Sequence, residues 1–217
     1  MEVKLVIFDF DGTLADTRNI IVATLQDTMR QLNLNVADED TCASTIGIPL
    51  KAGFKQIFPM ISDEMSENCV KVYRTIFNKN LKLFVPELFP GVETTLQELT
   101  NHGYSIAIAS SRTSTSLNAF IKEMGISKYI SCVIGAEDVI NAKPHPDPVI
   151  KALSYFGISA NNALVVGDMP VDIQMGKAAG TRTCGVSYGN STILQLQEVG
   201  ADFVISDIRQ LAMILKP

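Results

Sequence analysis

Residues 3–8 form an apolar, β-rich run interrupted only by Lys4, and the run stops at Asp9-Phe10-Asp11-Gly12. An unbroken apolar run of this length suits a strand buried on both faces, here leading into a turn. Runs at 104–109, 132–134, 163–166 and 181–186 have the same character. Between them the spacing becomes helical. Segments 94–99, 116–124 and 171–179, and the trio Val149, Leu153 and Phe156, place apolar residues three or four apart. Strands alternating with helices predict parallel crossovers and an α/β sheet covered on both faces.

One stretch breaks the alternation. From 16 to 85 the pattern is helical only. Ile21, Leu25, Thr28, Met29 and Leu32 fall on one helical face. Met65, Cys69, Val72, Tyr73 and Ile76 fall on another, behind a helix start at Ser62-Asp63-Glu64. This stretch is too long for a simple crossover and reads as a helical domain inserted after the first strand. The chain then divides into an α/β core of residues 1–15 and 86–217 and a helical insertion of residues 16–85, with Pro86 to Gly91 marking the return.

Composition narrows the partners. The chain has 217 residues, 47% hydrophobic and 19% charged, an ordinary globular balance. A formal charge of −5 disfavours nucleic acid and anionic lipid as general partners, while leaving room for a small anion at a local cationic site. The N-terminal segment lacks the basic and long apolar regions of a signal peptide, and no apolar run approaches a membrane span. Cys42, Cys69, Cys132 and Cys184 are scattered with no zinc-site spacing, which suits buried thiols in a reducing cytoplasm.

The candidate chemistry lies where predicted strands end. Asp9 and Asp11 follow the first strand, two residues apart, with Gly12 allowing the chain to turn away. Ser110 and Ser111 follow the second, where hydroxyls and helix-start N–H groups suit a phosphate oxygen or simply cap a helix near Thr113. Lys143 precedes Pro144-His145-Pro146, and the prolines limit how far its backbone wanders. Gly167-Asp168 follows another strand, with Asp172 four residues on. Each cluster has an ordinary reading as a turn, a cap or a solvated loop. Helix capping does not predict acid, hydroxyl, lysine and acid together at four strand ends. Asp9 and Asp168 with a backbone carbonyl form an all-oxygen set suited to Mg2+.

In this order, Asp9-x-Asp11-Gly12-Thr13-Leu14, Ser110, Lys143-Pro144 and Gly167-Asp168-x3-Asp172 resemble the four motifs of the haloacid dehalogenase superfamily of phosphohydrolases. The resemblance covers the whole chain. Leu88-Phe-Pro-Gly-Val and Asp172-Ile-Gln-Met-Gly-Lys-Ala-Ala-Gly look like its phosphoglycolate phosphatase and pyrophosphatase branch. It implies a Rossmann-like core with a small helical cap after the first strand. It implies Asp9 as nucleophile and metal ligand, and Asp11 as general acid then base, with its carbonyl on Mg2+. Ser110, with Ser111 beside it, and Lys143 would hold phosphate. Asp168 would bind the metal, and Asp172 would do so directly or through water. A carboxylate at position 11 argues against dehalogenation, which has no alkoxide to protonate.

The resemblance implies a cytoplasmic phosphatase, monomer or homodimer, acting on a small phosphorylated metabolite, with phosphoglycolate the first substrate to consider. A phosphomutase like β-phosphoglucomutase and an inorganic pyrophosphatase share the same motifs. A non-catalytic binding protein would have lost a motif residue, and none is lost. For substrate specificity, Lys51 in Thr45-Ile-Gly-Ile-Pro-Leu-Lys51 ranks first among the cap cations Arg18, Lys51, Lys55 and Arg74. Gly47 would permit close backbone approach. Arg112 stands where the phosphoglycolate branch more often has lysine. It reads as a solvated helix-start residue, with a substrate-facing role as the alternative. His145 is treated as a loop residue.

Overall fold

The computed structural model describes residues 2–215. Its strands are β1 (Leu5–Phe8), β2 (Ala15–Asp16), β3 (Glu87–Leu88), β4 (Ser105–Ala109), β5 (Cys132–Ile134), β6 (Ala163–Gly167), β7 (Arg182–Val186) and β8 (Phe203–Ile205). Six of them form one parallel sheet in the order β5-β4-β1-β6-β7-β8, so β1 lies at the centre. Strand periodicity sorts its side chains. Leu5 and Ile7 enter one apolar cluster, with Val149 and Met175. Val6 and Phe8 enter the other, with Leu96, Leu117 and Phe120. Helices α5 (Val92–Asn101) and α6 (Ser114–Glu123) cover the second face. Helices α7 (Asp147–Phe156) and α8 (Pro170–Ala178) cover the first. The predicted α/β class and its covered sheet are therefore present.

Between β2 and β3 the chain forms α1 (Arg18–Gln31), α2 (Glu39–Ala43), α3 (Leu50–Ile57) and α4 (Asp63–Asn80). β2 and β3 pair antiparallel where the helical segment leaves and rejoins the sheet domain. Ser62 caps α4, its hydroxyl accepting from the Met65 N–H at 3.1 Å. The buried stripe of α4 uses Ser66, Cys69, Tyr73, Ile76 and Phe77; Met65 is exposed, and small Ser66 takes the inward place. Helix α2 and the two-residue strands are too short to repeat a pattern.

Sheet domain and cap share one apolar cluster. An aromatic series crosses between them: Phe10 to Phe120 at 5.9 Å, Phe120 to Phe77 at 6.4 Å, Phe77 to Tyr73 at 5.8 Å and Tyr73 to Phe54 at 6.4 Å. Edge-to-face and offset contacts of this kind add modestly to the area the rings bury. Among the described residues no helix is long and apolar enough to cross a membrane.

The shared cluster predicts joint unfolding. Phe54 is fully buried in the cap. Phe54→Ala should cost about 3–5 kcal/mol and shift a single urea transition seen alike by circular dichroism and tyrosine fluorescence. A separate early transition for the cap would contradict the prediction.

Candidate active site

Parallel strands all end on one side of the sheet, so residues just past β4, β1 and β6 gather there. Phe8 of β1 pairs with Ile108 of β4 and Val166 of β6. Asp9 therefore stands level with the ends of its neighbours, with Ser110 and Asp168 one step beyond. Asp9, Asp168 and Asp172 each offer a carboxylate oxygen within 4.8 Å of the others, and all three are buried. Asp172 lies in the first turn of α8 and accepts from the Met169 N–H at 3.0 Å. Gly167 makes room for it, since a Cβ there would overlap the Asp172 carboxyl.

Lys143 neutralises part of this charge. Its Nζ donates to Asp9 Oδ1 and to Asp172 Oδ1, each at 2.6 Å. It comes from the loop after β5, well past the strand end, and approaches across a cis Lys143–Pro144 peptide. Burial works against its charge, but Asp172 and Asp9 outweigh burial and hold its pKa above the ordinary lysine value. Burial pushes the Asp9 pKa well up; Lys143 pulls it down, while Asp172, Asp168 and Asp11 push it up further. Asp168 is pushed up to about 7, first by burial and then by Asp172.

Asp168 is held by neutral donors. Thr13 Oγ1 donates to its Oδ1 at 3.1 Å, and the backbone N–H and Nδ2 of Asn190 donate to its Oδ2 at 2.8 and 2.9 Å. Gly12 has φ +82° and faces this group, so a Cβ there would be strained and would overlap Asp168 and Asn190. Asn190 is absent from the motif reading. The available signal was Gly189-Asn190 following a fifth parallel strand, β7.

Asp9 Oδ2 is buried with no hydrogen-bond partner among the described residues. An orphaned carboxylate oxygen among three buried acids and one ammonium leaves two net negative charges if all are ionised (three minus one). That donor set fits a hard divalent cation.

Asp11 lies on the other side of Phe10 and faces the cap. Arg112 Nε donates to its Oδ1 and Oδ2 at 2.8 and 2.7 Å, and Thr17 Oγ1 donates to Oδ1 at 2.6 Å. Arg112 is not the solvated residue expected. Its side chain is 13% exposed, and its guanidinium carbon lies 5.0 Å from the Phe77 centroid and 4.9 Å from that of Phe120. Sequence alone does not reveal that a cap ring and an α6 ring meet there.

The other predicted residues separate. Ser110 is buried, and its Oγ accepts from the Arg112 N–H at 3.3 Å. Ser111 Oγ donates to the Gly47 carbonyl at 2.7 Å, so both residues join the cap turn to the core. Thr113 caps α6. Lys51 does not reach the site; its Nζ lies 2.8 Å from Glu67 and 3.6 Å from Asp63, charges of its own cap surface. Lys55 pairs with Asp63, and His145 pairs with Asp147 outside the acidic cluster. Arg18 reaches Asp40 at 3.0 Å and Asn190 at 3.4 Å. A cleft of about 480 Å³ opens beside Asp11, bounded by Arg112, Gly47, Arg74 and apolar cap residues.

Comparison with known proteins agrees with this geometry. The family described as haloacid dehalogenase-like hydrolase matches residues 6–186. A Dickeya dadantii protein named probable phosphatase IndB is 36% identical over 203 residues, covering 93% of this chain and 88% of its own length. The pyrophosphatase PpaX of Oceanobacillus iheyensis is 33% identical, covering 99% and 98%. Among solved structures, a haloacid dehalogenase-like hydrolase from Bacteroides fragilis superposes with a TM-score of 0.89 at 27% identity, over 97% of this chain and all of the other. On its fold, its motifs and these relatives, the chain belongs to the haloacid dehalogenase-like hydrolases, among their phosphatases.

Proposed function

We propose that this chain hydrolyses a small-molecule phosphate monoester in two steps through Asp9, with Mg2+ as cofactor. The observation that carries the reading is the environment of Asp9. One of its oxygens is fixed by Lys143, and the other is buried without a partner among the described residues.

In the first step an Asp9 oxygen attacks phosphorus, and the ester's alkoxide leaves. Lys143 offsets repulsion between carboxylate and phosphate and keeps Asp9 oriented, while Asp172 keeps Lys143 in place. Ser110 stands beside Asp9 at the adjacent strand end, where its hydroxyl can hold a phosphate oxygen. Asp11 faces the leaving group and supplies its proton. To do so it must give up an acceptor contact with Arg112 or Thr17. In the second step Asp11 takes a proton from water attacking the aspartyl-phosphate. Asp9, Asp168 and Asp172, with the Asp11 carbonyl, would hold Mg2+, which when bound supplies positive charge against the phosphoryl oxygens. Hydrolysis of pyrophosphate is the second reading, supported by the likeness to PpaX.

Three outcomes are expected. Purified protein with Mg2+ should release phosphate from members of a panel of phosphate esters that includes phosphoglycolate, or from pyrophosphate. Asp9→Asn should lower that rate at least ~10³-fold; no turnover of any substrate, or wild-type turnover by Asp9→Asn, would sink the reading. With p-nitrophenyl phosphate, whose leaving group needs no proton, Asp11→Asn should still give a rapid nitrophenol burst before steady turnover slowed ~10²–10⁴-fold. Loss of the burst together with the steady rate would place Asp11 outside the acid–base role. Saturating Mg2+ at about 100 times its dissociation constant should stabilise the wild type by about 2.7 kcal/mol in thermal melts. Asp168→Asn should abolish that gain, and an unchanged shift would move the metal elsewhere.

A further inference from the structure

The loop after β7 meets the acidic cluster and has no counterpart among the four sequence motifs. Tyr188 Oη donates to the Thr13 carbonyl at 2.8 Å. Gly189 lies so close that a Cβ there would come 2.4 Å from both the Asp168 Cβ and the Gly12 carbonyl oxygen. Ser191 is buried, and its Oγ donates to Met169 Sδ at 3.2 Å. These contacts seat the loop on the turn that follows β1 and on the residues just past β6. They put Asn190 against Asp168.

The donors on Asp168 are unevenly shared between its oxygens. An ionised carboxylate accepts at about four lone-pair positions, about two on each oxygen. Oδ2 takes both the backbone N–H and Nδ2 of Asn190, at 2.8 and 2.9 Å, so its positions are filled. Oδ1 takes Thr13 Oγ1 at 3.1 Å and keeps a position open. The Asn190 amide is itself oriented from the cap. Arg18, the first residue of α1, directs Nη1 at Asn190 Oδ1 at 3.4 Å, which leaves the NH2 end for Asp168. Both Asn190 donors are neutral, so they hold the carboxylate without cancelling the charge of the three-acid cluster.

We propose that Asn190 is a positioning residue for the cation: by filling Oδ2 it makes Asp168 a one-oxygen ligand through Oδ1, and so favours Mg2+ over Ca2+. This rests on the reading above in which Asp9, Asp168 and Asp172 hold the metal. Mg2+ demands a compact, near-octahedral shell, whereas Ca2+ takes more oxygens and readily accepts both from one carboxylate. Residues that orient a metal ligand are commonly worth about 10- to 100-fold in metal affinity. Asn190→Ala keeps the backbone N–H but loses the amide. That frees a position on Oδ2 and lets the carboxylate bind through both oxygens.

The test is calorimetric titration of the metal-free protein with MgCl2 and with CaCl2, without substrate. Asn190→Ala should raise the Kd for Mg2+ about 10- to 100-fold. The Kd for Ca2+ should rise less, so the Ca2+-to-Mg2+ ratio of Kd values falls about 5-fold or more. Loss of a merely structural support would weaken both metals alike and leave that ratio where it was. Partial unfolding of the variant lowers the number of sites and not the ratio. An unchanged Kd for Mg2+, or a ratio that stays or rises, overturns this proposal and leaves the phosphatase reading intact. Absence of Mg2+ binding by the wild type overturns the metal assignment along with it.

Discussion

The ammonium of Lys143, clamped between Asp9 and Asp172, is the interaction on which the site depends. Three buried carboxylates this close repel one another, and one cation offsets part of that repulsion. Removing either partner of such a pair strands a buried charge, at a cost of about 3–5 kcal/mol. The surrounding chain is shaped to keep the group together. Gly12 and Gly167 lack the Cβ atoms that would displace Asp168 and Asp172, and Thr13 and Asn190 hold Asp168 with neutral donors. The remaining negative charge, and an Asp9 oxygen with no partner among the described residues, fit a bound cation.

Phe10 ties this charge cluster to the cap. It separates Asp9 from Asp11 in sequence, and its ring begins the aromatic series that runs through Phe120 and Phe77 to Tyr73 and Phe54. Asp9 thus belongs to the sheet's charge cluster, whereas Asp11 is gripped by Arg112, which rests on Phe77 and Phe120. The Ser111 hydroxyl on the Gly47 carbonyl adds a polar tie between the same two bodies. Movement of the cap relative to the sheet must alter the packing around Arg112, and through it the hold on Asp11.

Much of this was legible in the sequence, for physical reasons. Strands buried on both faces write themselves as unbroken apolar runs, so the ends of β1, β4 and β6, and with them Asp9, Ser110 and Asp168, could be located. Features made by distant segments were not legible. Arg112 was misread because its surroundings are built by residues 77 and 120, and a helix start in isolation looks solvated. The ion pairs of Lys51 with Glu67 and Asp63, on the neighbouring cap helix, were not visible from its own segment. Asn190 was missed because a Gly-Asn pair after a strand is ordinary loop chemistry until Asp168 is placed beside it.

The proposed attack of Asp9 on phosphorus is tested most directly by trapping the covalent species. Protein quenched in acid during turnover of a radiolabelled phosphate ester should carry label, and peptide mapping should place it on Asp9 in the wild type. Asp11→Asn, slowed in breakdown of the intermediate, should carry more label at the same position. Label on another side chain, or rapid turnover with no protein-bound phosphoryl group in either protein, would contradict the account.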